Sequence, residues 1–115
     1  AAAREAHFQS IRDAYDAGVH IAAGTDFIGP DLVPHGKNAL EAELLVEEIG
    51  LSEREAIEAG TRVAARTVPD DDLGVLAEGN RADFLAFETD PLADIGALSA
   101  PDAVFKSGER VDGTL

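Results

Sequence analysis

Cysteine is absent from this 115-residue sequence, and lysine occurs only as Lys37 and Lys106. Without cysteine the chain can form neither a disulfide nor a thiolate metal site. The sequence contains no run of about 18 apolar residues, so it predicts no membrane-spanning helix and no membrane partner. Its first residues lack the basic flank and apolar block of a secretion signal, and we therefore expect a cytoplasmic protein.

Basic residues are also scarce: 9 stand against 23 acidic ones, which gives a formal net charge of −14. Phosphate binding needs clustered cations, so we expect no nucleic-acid partner. The acids are spread along the chain apart from the run Asp70–Asp72, which lacks the alternating oxygen ligands of a calcium loop and predicts a solvated turn. This acid-rich composition resembles that of proteins from salt-loving archaea, which leads to the hypothesis that salt stabilises the fold.

Helices and one strand fill the predicted first part of the chain. Apolar residues at three- and four-residue spacings predict a helix over 3–17, ended by Gly18, and a buried strand over 19–23. A second helix is predicted over 39–49, with Asn38 as its N-cap. The order helix, glycine, strand is typical of a step in a parallel sheet or barrel.

A third helix is predicted from a capping box, in which Ser52 is the N-cap and Glu55 the third helical residue. We expect this helix to break near Gly60 and Thr61 and to resume from 62 to 67. Beyond residue 72 the pattern changes to short strand candidates at 73–76, 82–87 and 103–106, separated by turn residues. The sequence thus predicts an αβαα unit followed by a β-rich segment.

Asp26 directly follows the predicted strand, in the sequence Gly24-Thr25-Asp26. In parallel α/β folds the C-terminal ends of the strands carry the chemistry, and a carboxylate there can bind a metal, act as a base or orient water. The alternative is that Asp26 caps a turn or a helix. The loop that follows, 24–37, is longer than usual for its kind, and such loops often hold binding residues. His35 is the candidate within it.

Several motifs, in order, resemble the C-terminal part of metal-dependent amidohydrolases of the imidazolonepropionase and Xaa-Pro dipeptidase-like group. Residues 17–26 resemble the family's eighth barrel strand with its terminal aspartate, and 51–57 resemble the start of a family helix, (G)LSPxEAL. The most specific piece is 73–87, LGVLAEGNRADFLAF, which is similar to the family pattern LGxIxxGxxADLVxxD. Residues 104–111 resemble the closing pattern VxKxGxxV.

The resemblance implies an α/β fold: the last β/α unit of a TIM-type (β/α)8 barrel, followed by the C-terminal strands of a small β-sandwich. Residues 1–69 would be the barrel part and 70–115 the sandwich part. It also implies a hydrolase of carbon–nitrogen bonds in cyclic amides or dipeptides that uses a divalent metal, zinc being the expected one, to activate water. Asp26 would then be both metal ligand and catalytic proton acceptor, since an activated water needs a nearby carboxylate to take its proton.

The family's remaining ligands are a His-x-His pair on the first strand, a Lys or Glu on the fourth, and histidines on the fifth and sixth. This chain has only His7, His20 and His35, without a His-x-His pair. One carboxylate is not a zinc site, so we expect an inactive fragment that needs the missing barrel strands or a partner chain. The alternative is a non-catalytic acidic module that binds a partner or associates with itself.

The other candidate residues are the three histidines, Thr25 and Asp83. His35 could contact a small-molecule substrate or lie on the surface. His20 is expected to pack in the core and His7 to be exposed. Thr25 could support Asp26 by a hydrogen bond or stabilise a turn. Asp83, despite its place in the family pattern, is expected to serve a turn.

Overall fold

The computed structural model describes residues 1–26 and 35–111. Three helices come first: α1 (Ala2–Asp16), α2 (Leu40–Leu44) and α3 (Glu53–Glu58). The helical path of α2 widens into the π-helical turn Leu45–Ile49. That of α3 widens into the π-helical turn Ala59–Val63 and then tightens into the 3-10 turn Ala64–Thr67. The strands are β1 (Phe84–Ala86), β2 (Ala103–Lys106) and β3 (Glu109–Arg110), with the 3-10 turn Ile95–Ser99 between the first two.

The predicted first helix is confirmed, since α1 ends where Gly18 takes a left-handed backbone with φ +81°. The predicted strand over 19–23 is not paired with another strand among the described residues. Instead, the Ala23 amide donates to the Ala59 carbonyl at 2.9 Å, so a helical turn provides the contact that a neighbouring strand would provide.

Helix α2 occupies its predicted place, but its start differs from the prediction. Its N-cap is Ala39, without a side-chain cap, so the assignment of Asn38 as N-cap is wrong. Asn38 lies within a turn that follows the 3-10 turn His35–Lys37, and its carbonyl accepts from the Glu41 amide. The helical path ends as predicted at Gly50, whose φ is +95°.

The capping box of α3 is confirmed. The Glu55 amide donates to Ser52 Oγ at 3.3 Å, and the Ser52 amide donates to Glu55 Oε2 at 2.9 Å. The predicted break near Gly60 is wrong in form, because the backbone stays helical there and widens into the π-helical turn Ala59–Val63. Glycine lowers helical preference locally, but the packing of the neighbouring buried residue Ala59 keeps the chain helical.

A three-stranded antiparallel sheet of order β1-β2-β3 forms the β-rich part. The rings of Phe84 and Phe105 stack across the first strand pair with their centroids 4.4 Å apart. Ser107 and Gly108 both have positive φ, which is the geometry of a two-residue hairpin turn of type I′. The predicted turn is therefore confirmed, and β1 and β2 form within the predicted strand ranges 82–87 and 103–106.

The strand predicted over 73–76 does not form. Gly74 has φ +79° and lies so close to Thr61 and Ala65 that the segment packs against a helix rather than against a strand. Two contacts join the residues on either side of this segment. The Arg81 amide donates to the Asp72 carbonyl at 2.9 Å, and the Arg81 guanidinium forms an ion pair with the Asp72 carboxylate at 3.1 Å.

The core lies between the three helices and the 3-10 turn Ile95–Ser99. Its members are apolar residues from all of these elements: Phe8, Ala42, Leu45, Ile49, Leu51, Ala56, Ala59 and Ile95. No helix within residues 1–26 and 35–111 has the length and apolar character needed to cross a membrane.

Candidate active site

Burial alternates along the segment that leads to Asp26. Ile21, Ala23 and Thr25 are half-buried, and the residues between them are exposed. Ile21 and Ala23 pack against the core formed by the helices. Alternation of this kind is that of an extended chain with two faces. One face therefore anchors the segment to the helices, while the opposite face, which includes Asp26, is open.

Asp26 itself is exposed, and its backbone has φ +43°, in the left-handed region that Asp and Asn tolerate better than other side chains. The backbone therefore turns sharply at the end of the segment. A capping bond from the Asp26 side chain would fall on residues 28 and 29, which lie outside the described residues. Its carboxylate oxygens are accessible to a cation, to water or to a base-requiring substrate.

The described residues do not assemble a complete metal centre. Within 1–26 and 35–111, no group of three or more His, Asp or Glu side chains is close enough to hold an ion. A zinc site needs three or four ligands, of which Asp26 can supply one. The chemistry of Asp26 fits a divalent ion, because it is an exposed oxygen donor, but the described part of the chain does not complete the ligand set.

The three histidines lie in different parts of the fold. The backbone of His35 begins the 3-10 turn His35–Lys37, while its side chain lies outside the described residues. His20 is exposed, so the expectation of core packing is wrong. It also lines a small cleft of about 220 Å³ with Tyr15 and Glu55. His7 is exposed, as predicted.

A cleft of about 420 Å³ adjoins the end of the segment on its helix side. Its polar lining residues are Thr25, Asn38, Glu41 and Thr61. Thr25 thus lies on the face opposite to Asp26, which favours a packing role over direct support of the carboxylate. A second cleft of about 590 Å³ lies over the sheet, is lined mainly by apolar side chains and does not include Asp26.

Asp83 serves a turn, as predicted. Its Oδ1 accepts from the Ser107 amide at 2.7 Å, and its Oδ2 lies 3.8 Å from Lys106 Nζ. Both contacts hold the hairpin between β2 and β3. These contacts account for Asp83 through the turn, without a role in catalysis.

The family resemblance of the sequence motifs is confirmed by comparison with known proteins. The model of the amidohydrolase family matches residues 2–111. The chain belongs to the amidohydrolase family. Two enzymes similar in sequence are the ochratoxinase of Aspergillus niger and the imidazolonepropionase of Deinococcus deserti. They are 40% and 39% identical over 95% and 84% of this chain, which covers 23% and 25% of theirs.

Solved amidohydrolase structures resemble the chain as well. A Xaa-Pro dipeptidase crystallised with methionine in its active site has a TM-score of 0.81 and 34% identity, covering 92% of this chain and 25% of that one. The A. niger ochratoxinase structure has a TM-score of 0.78 and 38% identity, covering 90% of this chain and 24% of that one. The chain therefore spans about a quarter of the length of the amidohydrolases it matches.

Proposed function

We propose that this chain forms the C-terminal part of a metal-dependent hydrolase of carbon–nitrogen bonds, acting on cyclic amides or dipeptides. The observation that carries the proposal is Asp26: an exposed carboxylate on the open face of a segment whose other face is packed on helices, in a chain of the amidohydrolase family. The names of the relatives support the bond class, since they include a Xaa-Pro dipeptidase and an imidazolonepropionase.

In this proposal residues 1–69 complete a TIM-type barrel, with the segment 19–26 as its eighth strand, and 70–115 belong to a small β-sandwich. Two observations support this placement. The segment is not paired with another strand among the described residues, and the three-stranded sheet does not include it. A barrel takes roughly 250 residues. Its seven other strands would pair with the edges of this segment, enclose its open face and supply the other ligands.

Asp26 has two roles in the proposal. Asp26 would be one of the residues that hold a divalent ion, which we expect to be zinc and which would supply Lewis acidity to the reaction. The same carboxylate would accept the proton of the attacking water. His35 is proposed as a contact to the small-molecule substrate, because it lies in the range 24–37, for which the sequence predicts binding residues.

The substitution Asp26→Asn in the complete hydrolase tests the proposal. The amide keeps the size of the side chain but can neither accept the proton nor bind a cation as strongly. We expect kcat/KM to fall by about 10²–10⁴-fold with unchanged circular dichroism. Asp70→Asn, which also neutralises one exposed carboxylate, should have no such effect. Full activity of the Asp26→Asn enzyme would remove Asp26 from the mechanism.

The 115-residue chain alone should hydrolyse neither a Xaa-Pro dipeptide nor a cyclic amide when zinc is added, because it holds too few ligands. Turnover by the isolated chain would contradict this expectation. The non-catalytic alternative, self-association of the chain, is favoured by one observation. Leu76, Leu85 and Val111 line the cleft over the sheet and are 69%, 46% and 48% exposed. Light scattering that finds only monomer would count against that alternative.

A further inference from the structure

The connection between β1 and β2, residues 87–102, is closed by its own hydrogen bonds. At its base, the Glu88 amide donates to Asp102 Oδ2 at 2.7 Å. Within it, Asp94 Oδ1 accepts from a backbone amide at 3.0 Å and caps the 3-10 turn Ile95–Ser99. A loop whose ends lie close together and whose side chains bond inside it is compact. The connection therefore presents the 3-10 turn in a defined place.

This 3-10 turn inserts into the helical core. Ile95 is 8% exposed and belongs to the core, whose other members among the described residues all come from the range 8–59. Leu98 is half-buried and packs against the same core. The turn is in contact with α2, and Leu98 lines the cleft of about 420 Å³ together with Ala39 and Ala42. The β-rich part of the chain therefore reaches α2 through this turn.

The first turn of α2 depends on packing rather than on a cap. Its N-cap, Ala39, makes no side-chain bond to the amides of that turn, unlike the Ser and Asp residues that favour this position. A helix of five residues gains little stability from its own hydrogen bonds, so most of what holds it comes from tertiary contacts. Ala42 is its buried residue. Contact with the 3-10 turn Ile95–Ser99 therefore supplies stability that a cap would otherwise supply.

The start of α2 continues into the turn that begins with His35. The Glu41 amide donates to the Asn38 carbonyl at 3.2 Å, and Asn38 directly follows the 3-10 turn His35–Lys37. Consecutive bonded turns transmit a displacement along the backbone. A shift of the first turn of α2 therefore moves the backbone at His35 as well.

We propose that Leu98 is a positioning residue, whose side chain, carried by the capped 3-10 turn, fixes the first turn of α2 and with it the backbone that begins at His35. The structural part of this inference stands by itself, and its kinetic consequence rests on the proposed function, in which His35 contacts the substrate. In the proposed barrel, α2 lies in the outer ring of helices rather than in the wall of strands. The contact with Leu98 is therefore compatible with strand pairing along 19–26.

The test compares Leu98→Ala, which removes most of the side chain, with Leu98→Met, which keeps its volume. Leu92→Ala is the matched control, because Leu92 lies in the same connection and is 43% exposed. Hydrogen exchange of the amides of 41–43 is measured by mass spectrometry of the complete hydrolase. The Ala56 amide of α3, which donates to the Ser52 carbonyl at 2.9 Å, is the internal reference.

We expect exchange over 41–43 to be about tenfold faster in Leu98→Ala, while exchange at Ala56 stays at the wild-type rate. Leu98→Met and Leu92→Ala should exchange as the wild type does at both places. A general loss of stability would instead speed exchange in both helices alike. If the alanine variant does not fold, Leu98→Val takes its place. Equal acceleration in α2 and α3, wild-type exchange over 41–43, or failure of methionine to restore it would overturn the proposal.

The kinetic readout uses the same variants and whichever substrate the hydrolase turns over, a Xaa-Pro dipeptide or a cyclic amide. Leu98→Ala should raise KM about tenfold while kcat stays within about twofold, because the loss falls on binding rather than on the chemical step. Leu98→Met should restore KM, and Leu92→Ala should leave it unchanged.

Two results separate this inference from the proposed function. Faster exchange in α2 with unchanged KM, in an enzyme in which His35→Ala raises KM, would overturn the kinetic consequence of Leu98 alone. An unchanged KM in His35→Ala would overturn the proposed role of His35, and the exchange measurement would still decide whether Leu98 holds the first turn of α2.

Discussion

The Tyr15 hydroxyl lies 3.0 and 3.1 Å from the two carboxylate oxygens of Glu55, 40 residues further along the chain. Glu55 is also the residue that closes the capping box with Ser52. A single carboxylate thus caps α3 and ties it to α1. Hydrogen bonds from the Ser52 backbone, then from its hydroxyl and from Tyr15, lower the pKa of Glu55. Because the Tyr15 hydroxyl donates its proton to Glu55 in this bond, the pKa of Tyr15 is raised.

The lowered pKa of Glu55 predicts a loss of stability on the acid side. Its charged form is favoured in the folded state, so the contribution is present above the ordinary Glu pKa of 4.5 and is lost as pH falls through the lower folded value. Glu55→Gln should lose this part of the pH dependence. Urea unfolding between neutral and acid pH measures it, with Glu53→Gln as the control for charge in the first turn of α3. Equal pH profiles for the two variants would contradict the assignment.

The raised pKa of Tyr15 predicts the opposite behaviour in alkali. Its neutral form is favoured in the folded state, so its contribution is present below the ordinary pKa of 10.0 and is lost as pH rises through the higher folded value. Tyr15→Phe should unfold at a lower temperature than the wild type at neutral pH, and the difference should shrink above pH 10. Thermal melts of both proteins across this range test it; a constant difference would argue against the Tyr15–Glu55 bond.

Gly74 and Gly79 form a matched pair for the close approach to Thr61. Both have positive φ, +79° and +87°, but a Cβ at Gly79 would meet nothing within 4 Å. Gly79→Ala should therefore cost only the backbone strain, about 1–2 kcal/mol. Gly74→Ala should cost roughly a further 1–3 kcal/mol, because the methyl group overlaps Thr61 and Ala65. Equal urea midpoints for the two variants would mean that the approach is looser than described.

Leu45 and Leu40 test the position of the core. Leu45 is 4% exposed within the core, whereas Leu40, at the start of the same helical path, is 46% exposed. Leu45→Ala should lower the free energy of unfolding by about 2–5 kcal/mol, since it leaves a cavity among helices. Leu40→Ala should change it by no more than about 0.5 kcal/mol. If chemical denaturation gave a larger loss in the free energy of unfolding for Leu40→Ala than for Leu45→Ala, the helix would have to face the core with its other side.

Salt should stabilise this chain. The described residues form ion pairs at the surface, where such pairs contribute little to stability. They include Arg4–Glu48, Arg12–Glu5, Arg62–Glu58, Arg81–Asp72 and Lys106–Asp83. Salt screens these ion pairs, but it also screens the mutual repulsion that comes with a net charge of −14. We expect the stability gained from the second effect to exceed the stability lost from the first. We expect a higher urea midpoint in molar KCl than in dilute buffer. An equal or lower midpoint in KCl would refute the halophilic interpretation.

The sequence by itself determined the features that depend on neighbours within a few residues. Ser52 and Glu55 are three positions apart, so the capping box could be read directly, and Gly18, Gly50 and the pair Ser107-Gly108 marked ends and turns through their backbone freedom. The ordered motifs also identified the family. Asp26 was singled out as the candidate site residue, and its role stays a prediction.

Only the tertiary structure decided contacts between distant parts of the chain. A widened helical turn stands where the sequence predicted a break at Gly60, because Ala59 is buried in the core and its carbonyl accepts a hydrogen bond from the Ala23 amide. The tertiary structure also replaced the expected strand over 73–76 by a close approach of Gly74 to Thr61, and it paired Tyr15 with Glu55. Such contacts depend on how separate elements pack, and no local propensity or spacing encodes which side chains will meet across 40 residues.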